Sequence, residues 1–107
     1  VELKVSSRSQ GDHELVVANG EIDLYTAPRL QSELTAVIAG TAAAPRVVVD
    51  MSGVDFCDST GMNVLLSCLR QARERGGELE LAAPHPAVRK ILSVTGLDAV
   101  FTLADLS

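Results

Sequence analysis

Val47-Val48-Val49 is an unbroken β-branched run set between two stretches of helical spacing. A run of that kind is typical of a strand covered on both faces, and therefore of a parallel sheet. Ahead of it, Leu30, Leu34, Val37 and Ile38 fall at i, i+4, i+7 and i+8, one face of a helix. Behind it, Met62, Leu65, Leu66, Leu69 and Ala72 repeat that spacing to about Arg75, where Gly76-Gly77 stops the helix. Parallel strands need long crossovers, which helices supply. The alternation therefore predicts an α/β layer.

The remaining segments fill in the order. Glu2 to Ser7 alternates, with Leu3 and Val5 on one face, and reads as a strand. Gln10-Gly11-Asp12 is a turn, and Leu15 to Ala18 a second strand antiparallel to the first. Asn19-Gly20 has the look of a hairpin turn, but the residues after it are not strand-like, and Tyr25-Thr26-Ala27-Pro28 reads better as a helix start. Thr26 is the expected N-cap of this first helix, with Pro28 in its first turn and Gly40 and Pro45 closing it. Asp50 to Asp58 reads as a connecting loop containing Gly53. Leu79 and Leu81 alternate with Glu78 and Glu80, a strand with one wet face. Pro84-His85-Pro86 opens a third helix, with Val88, Ile91 and Leu92 facing in and Gly96 as cap. Val100-Phe101 is a last short strand, and Leu103 to Leu106 a terminal helical turn. The expected order is ββαβαβαβ: one domain over residues 1–107, a mixed, mostly parallel β-sheet with helices packed on it.

Composition excludes several function classes. Nine Lys and Arg against fourteen Asp and Glu leave a net charge of −5, and the only lysines are Lys4 and Lys90. An acidic chain without a basic cluster is a poor binder of nucleic-acid backbones, and three aromatics (Tyr25, Phe56, Phe101) make no stacking platform. The longest apolar run, Ala36 to Ala44, is nine residues interrupted by Gly40 and Thr41, too short for a membrane span. Cys57 and Cys68 stand eleven residues apart, about three turns along one helix, which disulfide geometry does not allow. Buried reduced thiols and the lack of a signal-peptide pattern point to the cytoplasm.

Chemistry concentrates in Asp50-Met51-Ser52-Gly53-Val54-Asp55-Phe56-Cys57-Asp58-Ser59-Thr60-Gly61-Met62, between a buried strand and a helix. Ligands and partners of open α/β sheets bind beyond the carboxyl ends of the strands. With Asp58 as N-cap, Ser59 takes the first helical position, where unpaired N–H groups and the helix dipole favour an anion. A phosphate on Ser59 has that support, but adds about −1.5 to −2 charges beside Asp58 and Asp55. On the local pattern alone, simple capping explains Asp58-Ser59-Thr60 better than a modified site does. Gly61 inside a helix costs about 1 kcal/mol relative to Ala, so a neighbouring element or a partner must approach its backbone closely. Gly20-Glu21-Ile22-Asp23-Leu24-Tyr25-Thr26-Ala27 is a second acidic lead into a helix. Asp23 there is either a turn residue satisfying local amides or a neighbour of Ser59.

These segments resemble the STAS domain, and within it the bacterial anti-sigma factor antagonists. Val47-Val48-Val49-Asp50, Gly53-Val54-Asp55-Phe56 and Asp58-Ser59-Thr60-Gly61-Met62 match the signature loop. Gly20-Glu21-Ile22-Asp23 with Thr26-Ala27 and Leu30 matches the first motif. Val88, Ile91-Leu92, Thr95-Gly96-Leu97 and Val100-Phe101 match the C-terminal pattern. The resemblance implies a binding module and not an enzyme. Its partner would be an anti-sigma factor that is also a serine kinase with a histidine-kinase-like ATP fold; binding frees a sigma factor. Phosphorylation of the loop serine, here Ser59, breaks that complex, and a PP2C-type phosphatase restores it. The implied partner surface is Asp23, Thr26, Asp58, Ser59, Thr60, Gly61, Met62 and Asn63, with Thr60 the lesser acceptor. Many antagonists carry a second glycine where this chain has Asn63. The implied alternative within the family is a scaffold or nucleotide-binding module of a multi-protein stress complex.

Three other chemistries fit less well. A Ser59, His85, Asp23 triad lacks the Gly-x-Ser-x-Gly elbow, and His13 and His85 lie in turn-like segments. No phosphate-binding Gly-x-x-x-x-Gly-Lys loop exists, so ATP, Mg²⁺ and a base would have to come from the partner; the chain calls for no cofactor of its own. Asp50, Asp55 and Asp58 form a possible cation cluster, but loop aspartates in α/β folds usually cap and turn. Cys57 beside Asp58 favours a structural thiol over a redox one, since a carboxylate raises thiol pKa.

Overall fold

The computed structural model describes residues 3–41 and 43–104. The elements are β1 (Leu3–Gln10), β2 (His13–Ile22), α1 (Ala27–Ala39), β3 (Arg46–Cys57), α2 (Ser59–Glu74), β4 (Glu78–Ala82), α3 (Pro86–Thr95), a 3₁₀ turn (Leu97–Ala99) and β5 (Thr102–Ala104). They form one five-stranded sheet in the order β1-β2-β3-β4-β5. The β1–β2 pair is an antiparallel hairpin, and the other three pairs are parallel. The sheet is thus mixed and mostly parallel, with a helix in each parallel crossover, as the pattern predicts.

Register explains the core. Val16 pairs with Val49 and Val49 with Leu81, so their side chains share the wholly buried face. Leu30, Leu34 and Ile38 of α1 and Leu65, Leu69 and Ala72 of α2 bury in the same cluster. Val48 pairs with Glu80 on the opposite, half-exposed face. No polar or charged side chain among the described residues is buried. Val37, Leu66 and Ile91, expected in the core, are only partly buried at its margin. Arg75, at the end of α2, donates to the Ile38 carbonyl in the last turn of α1 and to the Thr41 carbonyl just beyond it, which places a cation where a helix dipole is negative.

Four expectations change. Asp50–Cys57 is not a loop: β3 runs through it to Cys57. The reason is β2, which continues past Asn19-Gly20 to Ile22 and pairs Glu21 with Phe56 and Ile22 with Cys57. Glu21-Ile22, read as not strand-like, are accordingly strand, and Asn19-Gly20 lies among register shifts, with Gly20 at φ 123°. Gly53 is the counterpart, because a Cβ there would meet Asn19 Oδ1 at 1.8 Å. Thr26 is the N-cap residue of α1, as expected, although its hydroxyl makes no cap bond to the helix. Val100-Phe101 is not a strand: both N–H groups turn back onto the Leu97 carbonyl, at 3.0 and 2.9 Å, and β5 starts at Thr102. Leu103 and Ala104 are strand rather than helical turn, and 105–107 lie outside the described residues.

Candidate functional site

The β2–α1 and β3–α2 turns lie side by side at one end of the sheet. They are tied by the Asp58 N–H, which donates to the Ile22 carbonyl at 3.1 Å. Asp58 alone separates β3 from α2. Its extended backbone (φ −88°, ψ −174°) makes it the N-cap, and Oδ1 accepts from the Gly61 N–H at 3.0 Å. Ser59 is the first residue of the sixteen-residue helix α2 and is exposed. Among the described residues no protein group hydrogen-bonds its hydroxyl. Thr60 is half-buried, and Asn63 is exposed one turn on.

Gly61 lets the first turn of α2 lie against the strand ends. A Cβ on it would stand 2.5 Å from Ile22 Cγ2 and 2.7 Å from Cys57 Sγ. The close approach comes from the neighbouring strand ends, not from a partner. Met62 is 4% exposed and belongs to the core. Gly61 and Met62 are therefore buried beneath the loop, unlike the exposed Ser59 and Asn63. Burial first, and Asp58 second, push the Cys57 thiol up to about 12, and Cys68 is also raised by burial, to about 11. Both cysteines are free and buried, and neither is a thiolate near neutral pH.

Asp23 closes the neighbouring turn on itself. Oδ1 accepts from the Tyr25 N–H at 2.9 Å, the Thr26 N–H at 3.0 Å and the Thr26 hydroxyl at 3.2 Å. That hydroxyl also lies 2.8 Å from the Glu21 carbonyl and accepts from the Asp23 N–H at 2.9 Å. These donors, the Thr26 N–H above all, hold the Asp23 carboxyl below the usual range. No hydrogen bond joins Asp23 to Ser59 among the described residues. Asp23 is thus a turn residue that also borders the Ser59 turn; the two readings are compatible.

The competing constellations are not assembled. His85 Nδ1 caps α3, accepting from the Ala87 N–H at 3.2 Å, and among the described residues no hydrogen bond joins His85 to Ser59 or Asp23. Asp50 accepts from the Ser52 N–H and hydroxyl at 2.9 and 2.7 Å. Among the described residues no three His, Cys, Asp or Glu side chains are grouped to hold a metal, so Asp50, Asp55 and Asp58 do not converge. No helix among the described residues is long and apolar enough to cross a membrane. What sequence reasoning missed is apolar: Leu24, Tyr25 and Phe56 stand exposed around these turns. The available signal was two of the chain's three aromatics lying within acidic stretches.

The arrangement has known counterparts. The STAS domain family profile matches residues 4–106. An anti-sigma-B factor antagonist of Listeria monocytogenes is 26% identical over 106 residues, 99% of this chain and 90% of that one. The crystal structure of an anti-sigma factor antagonist from Mycobacterium paratuberculosis superposes with a TM-score of 0.84 at 31% identity, covering 96% of this chain and 86% of that one. The Bacillus cell fate determinant SpoIIAA in its phosphorylated form shares the fold, with a TM-score of 0.73 at 20% identity over 99% of this chain and 92% of its own. The chain belongs to the STAS domain family.

Proposed function

We propose that this chain is an anti-sigma factor antagonist switched by phosphorylation of Ser59. The observation that carries this reading is the exposed, unengaged Ser59 hydroxyl at the first position of α2. The names of the relatives support the role, and a phosphorylated form of SpoIIAA supports the switch. Unphosphorylated, the turn binds an anti-sigma factor that is also a serine kinase, and so releases a sigma factor. The partner brings ATP, Mg²⁺ and the base, and Ser59 is substrate rather than catalyst. A PP2C-type phosphatase resets the switch.

Local forces on the phosphate oppose one another. The free N–H groups of the first helical turn and the dipole of α2 favour it, while the Asp58 and Asp55 carboxylates repel it. With Asp58 held by its cap bond and Asp23 by its turn, the fold stays and the surface changes. Asp23, Thr26, Asp58, Thr60 and Asn63 frame the contact. The buried thiols fit a reducing compartment, the cytoplasm.

The test is a pull-down from native lysate with wild type and Ser59→Asp side by side, bound proteins identified by mass spectrometry. An ATP-binding anti-sigma kinase held by wild type and lost from Ser59→Asp is the expected result. The same partners on both baits overturn the switch. No specific partner on either overturns the binding role.

A further inference from the structure

The outer face of α3 carries apolar surface and charge that the fold leaves unused. Val88 and Leu92 turn into the core and are wholly buried. Val94 faces away from them and is 78% exposed, a β-branched residue that adds little to helix stability. It lines an open concavity of about 650 Å³ together with Pro86, Arg89, Lys90, Asp98 and Leu103. Leu103 belongs to β5, is itself only partly buried, and lies on an edge strand of the sheet.

A single exposed valine is ordinary on a protein surface. What sets this one apart is its charged neighbours. Lys90 stands one helical turn before Val94, and Asp98 follows four residues after it, past the Gly96 cap, in the 3₁₀ turn. Arg89 adds a second cation beside Lys90. Opposite charges thus line one concavity, yet among the described residues Arg89, Lys90 and Asp98 form no salt bridge with one another or with any other side chain.

That disposition selects the occupant. A basic surface would be repelled by Arg89 and Lys90, and an acidic one by Asp98. A surface with both signs around an apolar centre suits all three, and a second copy of this face is such a surface. In a two-fold contact every pairing occurs twice, residue i on j and j on i. With two α3 helices antiparallel and the axis at Val94, a residue four positions before it comes opposite one four positions after it. Val94 then meets Val94 of the second copy, and Lys90 meets its Asp98, on both sides of the axis.

We infer that this face of α3 is a self-association surface, on which two copies of the chain pair through Val94 with reciprocal Lys90–Asp98 ion pairs. The inference does not rest on the Ser59 switch. One helix face is smaller than a standard interface, so the dimer belongs to the weak, transient class.

Sedimentation equilibrium of the full chain, from about 10 µM to about 1 mM at about 0.15 M salt, reads the association. The weight-average mass is expected to rise from one chain toward two. Val94→Lys is expected to weaken dimerisation about tenfold or more, because it sets two cations on the axis. Lys90→Asp and Asp98→Lys are each expected to do the same, since each opposes like charges twice. The double variant carrying both is expected to return Kd to within about threefold of wild type, because the pairs are rebuilt with their signs exchanged. All three positions are exposed, and circular dichroism of each variant checks that the fold is kept. Tyr25→Ser, an exposed apolar change outside this face, is expected to leave Kd within about twofold. A chain that stays monomeric throughout the range overturns the inference and leaves the face to another occupant. Dimers that persist in Val94→Lys, or that are lost in Tyr25→Ser, put the contact elsewhere and overturn it as well. Single charge variants that dimerise like wild type, or a double variant that is not rescued, overturn the reciprocal pairing.

Discussion

The two turns at the Ser59 end have nearly the same ingredients and opposite dispositions. Each offers an aspartate, a hydroxyl residue within three positions of it, and a helix start. In the β2–α1 turn the hydroxyl is consumed: Thr26 bonds to Glu21 and Asp23, and Asp23 accepts from two backbone N–H groups. In the β3–α2 turn the aspartate does the capping alone, and the Ser59 hydroxyl is left over. The lesson is that a hydroxyl stays free where the local structure does not need it. The Thr26 turn is self-sufficient, while the Ser59 turn depends on its neighbour, through Ile22 beneath Gly61 and the Ile22 carbonyl on the Asp58 N–H.

That contrast is open to attack at four places. The largest effect is all-or-none: Ser59→Ala abolishes phosphate incorporation by the captured kinase, whereas Thr26→Ala keeps it. Phosphopeptide mass spectrometry reads the site, and phosphate remaining on the Ser59→Ala protein would show that the free hydroxyl is not the acceptor. Next, Gly61→Ala lowers unfolding free energy by about 2 kcal/mol in urea titrations, since the added methyl must displace Ile22 or Cys57, despite its better helix propensity. A neutral or stabilising Gly61→Ala would mean that the two turns are not wedged together. Asp58→Ala costs about 1 kcal/mol by loss of the N-cap. A loss below a few tenths would deny the cap its part in holding α2.

The smallest effect concerns charge. Asp23→Asn keeps an oxygen acceptor and removes only the ionised form. The Asp23 carboxyl is depressed in the fold, so its contribution is present above the ordinary carboxylate range and fades as pH falls through the folded value. Wild type is therefore the more stable of the two at pH 7, and the gap closes in acid. Urea midpoints at about pH 7 and pH 3 read it; a gap that widens in acid contradicts the assigned direction.

Legibility followed the range of the interactions. The N-cap at Asp58, the start of α2 at Ser59 and the Gly76-Gly77 stop were readable because caps and glycine exits act within three or four residues. The αL cap at Gly96, φ 77°, was readable for the same reason. The loop assigned to Asp50–Cys57 was misread because its strand character comes from β2, some thirty-five residues earlier in sequence. Polar and glycine residues there resemble a loop until Asn19 and Gly20 are seen to pair with Gly53 and Val54. Thr26 was readable as the N-cap residue of α1, but not the use of its hydroxyl, because only the path of β2 to Glu21 selects between its two local uses.

From the sequence alone came the alternation of strands and helices, the parallel central strand, the position of Ser59 at the start of α2 and the family resemblance. All of them rest on short-range patterning and on residue types at fixed spacing. Tertiary structure decided which residues stand free. It buried Gly61 and Met62 beneath the turn, closed Asp23 on its own amides and left Leu24, Tyr25 and Phe56 exposed beside Ser59. Exposure depends on what the rest of the chain covers, and that is settled only when β2 and β3 pair to their ends and bring the two turns together.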